Sequence, residues 1–143
     1  MRYPAIITRA GRKTLAHFPD CAGCQTEADP REDIRAQAAD ALRGWLEAHL
    51  ALGRVPPRPS TRKPSGKVIW IEVPAKLAVK LLLRWARNEA GLTQAQLAKR
   101  ARVSQQMVAK LESPDYNPTL ETLDKVASAL GARLDVKFAA HAS

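Results

Sequence analysis

The fold of the second half of this chain is decided by Leu92–Glu112, which reads LTQAQLAKRARVSQQMVAKLE. Apolar residues recur at helical spacing on both sides of a short break, which predicts two short helices joined by a tight turn. Thr93, with Gln96 three residues later, forms a capping box for the first helix, and Ser104 caps the second. The small side chain of Ala98 allows the two helices to approach closely.

The outward face of the second helix carries side chains that suit DNA bases. When Val108 and Leu111 face the first helix, the opposite face presents two glutamines, an alanine and a lysine. A glutamine amide pairs with the major-groove edge of adenine, and a lysine reaches guanine or phosphate. Basic side chains of the first helix and the turn add attraction that does not depend on sequence. The predicted DNA-binding residues are Gln94, Lys99, Arg100, Arg102, Ser104, Gln105, Gln106, Ala109 and Lys110.

This segment resembles the helix-turn-helix of lambdoid phage repressors and their Xre-type relatives, and the resemblance covers Leu77 to Leu130. It rests on Leu92-Thr93-Gln94, Leu97-Ala98, Ser104-Gln105-Gln106 and Leu111-Glu112. It implies that the residues facing DNA include Gln94, Gln105, Gln106 and Lys110. It also implies a structural ion pair between Arg87 and Glu112. Many relatives carry glycine at the position of Arg102, so we expect a positive φ at that arginine.

The rest of the second half is also predicted to be helical. Apolar periodicity predicts helices at 75–90, 93–101, 104–112 and 119–130. After them, residues 132–138 alternate between apolar and charged side chains, which predicts a terminal strand. Because a lone strand exposes unpaired backbone groups, we expect it to pair either with 67–73 or with its own copy in a homodimer or higher homo-oligomer.

The first half is predicted to form a small sheet covered by one helix. Tyr3–Thr8 and Thr14–Phe18 have the composition of two strands joined by a turn, and Lys67–Val73 alternates as a third strand. The helix is predicted to begin with Asp29 as its capping residue and Glu32 as the capping-box partner. Its apolar stripe would lie on the sheet. The fold class of the whole chain is therefore α+β.

A proline-rich connector, residues 54–67, separates this helix from the third strand. It combines prolines with basic side chains and almost no apolar groups, which predicts extended, exposed chain. We place the domain boundary after Val73, so that the first domain is 1–73, including the connector, and the second is 74–143. The net charge of +9 and the pI near 10.1 favour a polyanionic partner without choosing among DNA, RNA and a membrane surface.

The first domain resembles the HicB antitoxin family. The resemblance rests on the run Phe18-Pro19-Asp20-Cys21-Ala22-Gly23-Cys24 after the predicted hairpin, followed by an acidic run and a capped helix. HicB proteins often carry a C-terminal helix-turn-helix, so the resemblance extends to the architecture of the whole chain. It implies a partial ribonuclease H-like sheet with one helix, and as partner a HicA-like toxin, which is a small RNA-cleaving protein.

The segment Asp20–Asp33 is acidic within a basic chain, since it contains five carboxylates and only one arginine. A toxin that cuts RNA is expected to be basic, and this segment would attract it. The alternative is an acidic loop and helix start that are simply solvated. The predicted toxin-binding residues are Phe18, Pro19, Asp20, Glu27, Asp29, Glu32 and Asp33.

Other functions are less well supported by the residues. Ribonuclease H chemistry needs clustered carboxylates, and the first two predicted strands contain none, so we expect no enzyme activity. Cys21 and Cys24 have the spacing of half a zinc site, but a closed site needs four ligands. We therefore expect reduced thiols, no metal and no cofactor. No stretch approaches the roughly 20 apolar residues that span a bilayer, and we expect a cytoplasmic protein without membrane contact. The remaining alternative to an autoregulating antitoxin is an Xre-type transcriptional regulator whose first domain senses a small molecule or oligomerises.

Overall fold

Four strands from the first part of the chain form one antiparallel sheet. In the computed structural model, which describes residues 1–140, these are β1 (Arg2–Ala10), β2 (Lys13–His17), β3 (Gln25–Ala28) and β4 (Lys67–Glu72). The order across the sheet is β3-β2-β1-β4. The two strands predicted at the start and the third strand at 67–73 are confirmed, whereas β3 was not predicted.

The pairing of β1 with both of its neighbours explains how a proline fits inside a central strand. The first half of β1 pairs only with β4, where Pro4 lies opposite Trp70. Val73 N donates to Met1 O (3.0 Å), and every second residue along β1 then bonds to β4. Pro4 falls between these bonded positions, so its missing N–H removes no bond of the ladder.

One helix, α1 (Ile34–Ala51), covers a face of the sheet. Its buried residues recur every four positions and are Ala38, Leu42, Leu46 and Leu50. They lie over the sheet face that carries the buried side chains of Ala5 and Ala16. This is the predicted apolar stripe.

The predicted start of this helix was wrong by four residues. Asp33 caps α1, and its side chain accepts a hydrogen bond from Arg35 N (2.9 Å). Asp29 and Glu32 form only half of the predicted capping box: the Asp29 N–H donates to Glu32 Oε2 (2.8 Å), but the Glu32 N–H donates to the backbone carbonyl of Asp29 and not to its side chain. This makes only an isolated turn. The chain leaves the sheet at Ala28 and needs the intervening residues to reach the helix.

The connector is part of the sheet unit, because β4 returns to pair with β1. Residues 54–67 carry no helix and enter a strand only at Lys67. Tyr3 Oη donates to Pro57 O (2.7 Å), and Ser60 N donates to Asp20 Oδ2 (2.8 Å). The segment is mostly exposed, as predicted, but hydrogen bonds at Pro57 and Ser60 hold it against the sheet unit.

The second part of the chain is helical. It contains α2 (Ala75–Glu89), α3 (Gln94–Ala101), α4 (Gln105–Leu111) and α5 (Leu120–Ala129). The four predicted helices are confirmed within one residue at each end. The chain divides into two compact units, Met1–Leu82 and Leu83–Ser143, and the division falls inside α2, whereas the sequence-based boundary lies before that helix.

The predicted terminal strand is not formed in this structure. Residues 132–140 have no regular secondary structure. Leu134 is half-buried, Val136 is largely exposed and Phe138 is fully exposed. A strand needs a neighbour for its backbone groups, and the described part of this single chain does not pair with the tail.

Candidate nucleic-acid interface and partner-binding segment

The helix proposed to read DNA, α4, has one buried face and one exposed face. Ser104 caps it, and its hydroxyl accepts a hydrogen bond from Met107 N (3.1 Å). Val108 and Leu111 are buried and Met107 is half-buried. The exposed side is formed by Gln105, Gln106, Ala109 and Lys110. Two amides and an ammonium thus stand together on a short helix whose backbone is already fixed by its cap.

The preceding helix and the turn supply a group of exposed cations. Thr93 and Gln96 form the predicted capping box at the start of α3. At its end Arg102 has φ 57° and ψ 43°, the left-handed conformation expected from the resemblance. This turn allows Val103 N to donate to Ala98 O (3.0 Å) and closes α3. The exposed cations are Lys99, Arg100 and Arg102.

A buried carboxylate joins three helices of this unit. Glu112, which is 2% exposed, accepts hydrogen bonds from Nε of Arg87 on α2 and from Nε of Arg84, also on α2 (2.7 Å). Arg87 Nη1 donates in turn to Leu92 O (2.8 Å). The ion pair implied by the resemblance is therefore present, but the second arginine was missed. The sequence places residue 84 on the same helix face as Arg87, three positions away, but its contact with Glu112 also depends on how α2 is rotated against α4.

The electrostatics of this cluster keep Glu112 ionised. Burial alone would raise the pKa of Glu112, but the hydrogen bond from Arg87 and the charge of Arg84 outweigh it. The pKa of this carboxyl therefore lies below the ordinary value for glutamate. Because the carboxylate is buried between two cations, it does not present a bare negative charge next to the exposed face of α4.

Gln94 belongs to the same cluster. Its side-chain amide nitrogen donates to Glu112 Oε2 (3.2 Å), and the residue is half-buried. One end of the amide is therefore fixed by the protein, which orients the carbonyl end and the backbone at the start of α3. Its predicted contact with DNA stays a prediction.

In the acidic segment, most carboxylates already have partners within the chain. Asp20 accepts from the connector, Glu27 pairs with Lys13 (2.5 Å) and Asp33 caps α1. Glu27, Asp29, Glu32, Asp33 and Pro19 are exposed, and Asp20 is half-buried. Exposed carboxylates keep free lone pairs, so they still present negative charge to a partner.

Phe18 does not lie where a contact residue would. It is 2% exposed and belongs to the core of the sheet unit. Its backbone N–H donates to Cys24 O and its carbonyl accepts from Cys21 N, each at 3.0 Å. Phe18 therefore anchors the loop that follows it, and its predicted contact with a toxin would require a partner to reach a buried ring.

The two cysteines close the same loop. Both are buried free thiols, and Cys24 N donates to Cys21 O (2.9 Å). Burial, with smaller effects from Cys24 and Asp20, raises the pKa of Cys21 to about 12, and burial raises the pKa of Cys24 to about 11. Trp45 Nε1 on α1 donates to Ala22 O (3.2 Å) and fastens the loop from outside. Within residues 1–140, no three histidine, cysteine or acidic side chains are grouped as a metal site would require.

Comparison with known proteins places this architecture in a family. The chain is 32% identical to Antitoxin HicB 1 of Photorhabdus laumondii over 139 residues, which is 96% of this chain and 87% of that protein. The chain belongs to the HicB antitoxin family. Antitoxin HicB 2 of the same organism is 29% identical over 136 residues, 95% of each chain. The resemblance drawn from the first domain is thereby confirmed.

The second unit has relatives of its own. Residues 83–137 match the family described as helix-turn-helix. The immunity repressor of Bacillus phage phi105 is 48% identical over 48 residues, which is 34% of this chain and 33% of that protein. This member of the HicB family thus combines the sheet unit with an Xre-type helix-turn-helix. Across the described residues, no helix has both the length and the apolar character needed to cross a bilayer.

Proposed function

We propose that this chain is an antitoxin that neutralises a HicA-like, RNA-cleaving toxin through its first unit and represses its own operon through its second. The observation that carries the proposal is the capped helix α4 with Gln105, Gln106 and Lys110 exposed together, in a chain of the HicB family. Both tasks are binding tasks, so we assign no catalytic residue. The site of action is the cytoplasm, where operon DNA and messenger RNA are found.

The DNA-binding step follows from the geometry of α3 and α4. Gln105 and Gln106 lie in the first turn of α4, the part of a recognition helix that contacts base edges. The exposed cations of α3 and the turn would contact phosphates and set the position of the helix in the groove. Two such units in a homodimer would read half-sites about one helical turn, or a multiple of it, apart.

The replacement Gln105→Ala/Gln106→Ala tests the reading of bases. We expect the loss of about 1 to 3 kcal/mol of discrimination for each lost amide contact, and little change in binding to scrambled DNA. Gel-shift or anisotropy titrations on operator and scrambled duplexes measure both quantities. Gln25→Ala, an exposed glutamine of β3, is the matched control. An unchanged operator preference in the double variant would remove α4 from base reading.

Toxin neutralisation is supported by the charge of the first unit. The segment Asp20–Asp33 is acidic, and its carboxylates are fixed by the turn at Asp29–Glu32 and by the cap of α1. A basic RNA-cleaving partner would be steered to it, and the antitoxin would then cover the surface that holds RNA. Steering of this kind raises the association rate more than it slows dissociation.

The isosteric change Asp29→Asn/Glu32→Gln tests this segment without changing its shape. We expect slower association with the co-encoded toxin, with a weaker dependence of that rate on salt, in stopped-flow or surface-binding kinetics. Glu121→Gln/Asp124→Asn removes the same two charges from exposed positions of α5 and is the control. Equal association rates in the two variants would mean that the toxin is not attracted by the segment Asp20–Asp33. Failure of the full chain to bind any co-encoded toxin would leave the transcriptional regulator as the function.

A further inference from the structure

We propose that the connector, residues 54–67, is a basic strap that makes a second, sequence-independent contact with the phosphate backbone of DNA beside the operator. It is called the strap from here on. This inference rests on the proposed function in one respect only, namely that the chain meets DNA. The strap belongs to the sheet unit and lies outside the helix-turn-helix.

The strap concentrates positive charge. It carries five basic side chains, and no acidic residue occurs between Glu47 and Glu72. All five are exposed, namely Arg54, Arg58, Arg62, Lys63 and Lys67. Duplex DNA carries closely spaced phosphate charges, which lysine and arginine side chains neutralise with release of counterions. A charge density of this kind is a target for a polyanion.

The strap is ordered before any partner binds. Tyr3 Oη holds Pro57 O, Asp20 holds the backbone of Ser60, and Pro56 is buried. The Ser60 hydroxyl also donates to Arg62 O (3.2 Å). The four prolines further restrict the backbone. Because the charged side chains project from a backbone that is already fixed, binding costs less conformational entropy than it would for a free linker.

The composition of the strap favours nucleic acid over an acidic protein. Protein interfaces are rich in aromatic side chains, methionine and arginine and depleted of lysine, and of the enriched types the strap offers only arginine. The strap has a single aliphatic side chain outside its prolines, Val55, and no aromatic residue. Phosphate contacts are made instead by arginine, lysine, serine and threonine side chains and by backbone N–H groups. The strap offers all of these.

The test compares two charge variants of the full chain. Arg62→Gln/Lys63→Gln/Lys67→Gln removes three charges from the strap, and Arg9→Gln/Arg12→Gln/Arg31→Gln removes three exposed charges elsewhere on the sheet unit. Binding constants are measured against salt on a long duplex carrying the operator and on a scrambled duplex of the same length. The slope of log K against log salt is negative, and we expect the strap variant to reduce its magnitude by about 2 to 3 on both duplexes. The control should change it by less than 1.

Each other result has a defined meaning. Equal slopes for the two variants would make the effect one of net charge and would overturn the proposal. So would a strap variant with the wild-type slope, including one that instead lost binding to a protein partner. Wild-type protein that binds scrambled DNA through the strap but does not prefer the operator would contradict the proposed repressor function and leave the strap contact intact.

Discussion

The carboxylate of Glu112 shows how one side chain connects the helices of the helix-turn-helix unit. It lies between Arg84 and Arg87 on α2 and also accepts from Gln94 on α3. Without it, the buried guanidinium of Arg84 and the half-buried guanidinium of Arg87 would both lose their carboxylate. Removing one partner of a buried ion pair leaves an uncompensated charge, which is far more costly than the net strength of the pair.

We therefore expect Glu112→Gln to destabilise the helical unit by about 3 kcal/mol at neutral pH. Urea unfolding followed by circular dichroism measures the loss. Glu121→Gln, on the exposed surface of α5, should change the free energy of unfolding by less than about 0.5 kcal/mol. A Glu112→Gln variant as stable as this control would mean that the arginines find other partners.

The same group predicts how stability depends on pH. The pKa of Glu112 is lower in the folded unit than in an unfolded chain, where it is about 4.3. Its contribution is therefore complete above the unfolded value and is lost as the pH falls through the folded value. The wild type should lose part of its advantage over Glu112→Gln in acid below about pH 4, measured by the same unfolding experiment.

Single residues also set the limit of what sequence could predict. The pairing of Glu112 with Arg87 follows from a family pattern, whereas the involvement of Arg84 depends on how α2 is rotated against α4. Likewise, Asp20 is a natural choice for a partner-facing acid, yet it accepts a bond from Ser60, 40 positions along the chain. Contacts of such long range depend on the finished fold and leave no local pattern.

Among the elements, the turn between α3 and α4 carries a measurable strain. Arg102 adopts the left-handed conformation, which costs an L-residue about 1 to 2 kcal/mol. Arg102→Gly should relieve most of this and stabilise the helical unit by about 1 kcal/mol, after the entropy that glycine gains on unfolding. Calorimetry on the full chain measures the change.

The variant also loses a cation, which calls for a second comparison. Arg102→Ala removes the same charge but keeps the strained backbone. Both variants should reduce the magnitude of the slope of log K against log salt for DNA binding by about 1. Only the glycine variant should gain stability. Equal stability of the two would mean that the strain at this position is no larger than the entropy cost of glycine.

Elements with strong periodicity or caps were predicted well, and short polar ones were not. The four helices of the second half have apolar stripes and capping residues, so local pattern decides them. Strand β3 reads Gln-Thr-Glu-Ala, and only Ala28 in it is buried. It is a strand because the loop from Phe18 to Cys24 returns the chain beside β2. At the start of α1, the predicted cap Asp29 lies in an isolated turn instead, and Asp33 caps the helix.

For the whole molecule, the exposed tail is the feature that a single chain does not explain. Val136 is 63% exposed and Phe138 wholly so, although both are apolar and alternate with charged residues. Such alternation suits a strand that pairs with another copy of itself. A homodimer would in turn supply the two recognition helices that a symmetric operator needs.

We expect Val136→Ser/Phe138→Ser to weaken self-association of the full chain while leaving the fold of each unit unchanged. Sedimentation equilibrium measures the association constant, and circular dichroism checks the fold. Leu52→Ser, which replaces an apolar side chain of comparable exposure in the first unit, is the control. An association constant equal to that of the control would exclude the tail as the contact between copies.

The two buried thiols allow the opening of the sheet unit to be measured separately from that of the helical unit. The chain has only two cysteines, and both close the loop under Trp45 in the sheet unit. Since their pKa values are raised and the sulfur atoms are covered, a thiol reagent must wait for that unit to open. The rate of labelling therefore reports the opening equilibrium of the sheet unit alone, even while the helical unit is bound to DNA. A partner that covers the first unit would slow labelling, and one that binds only the second would not.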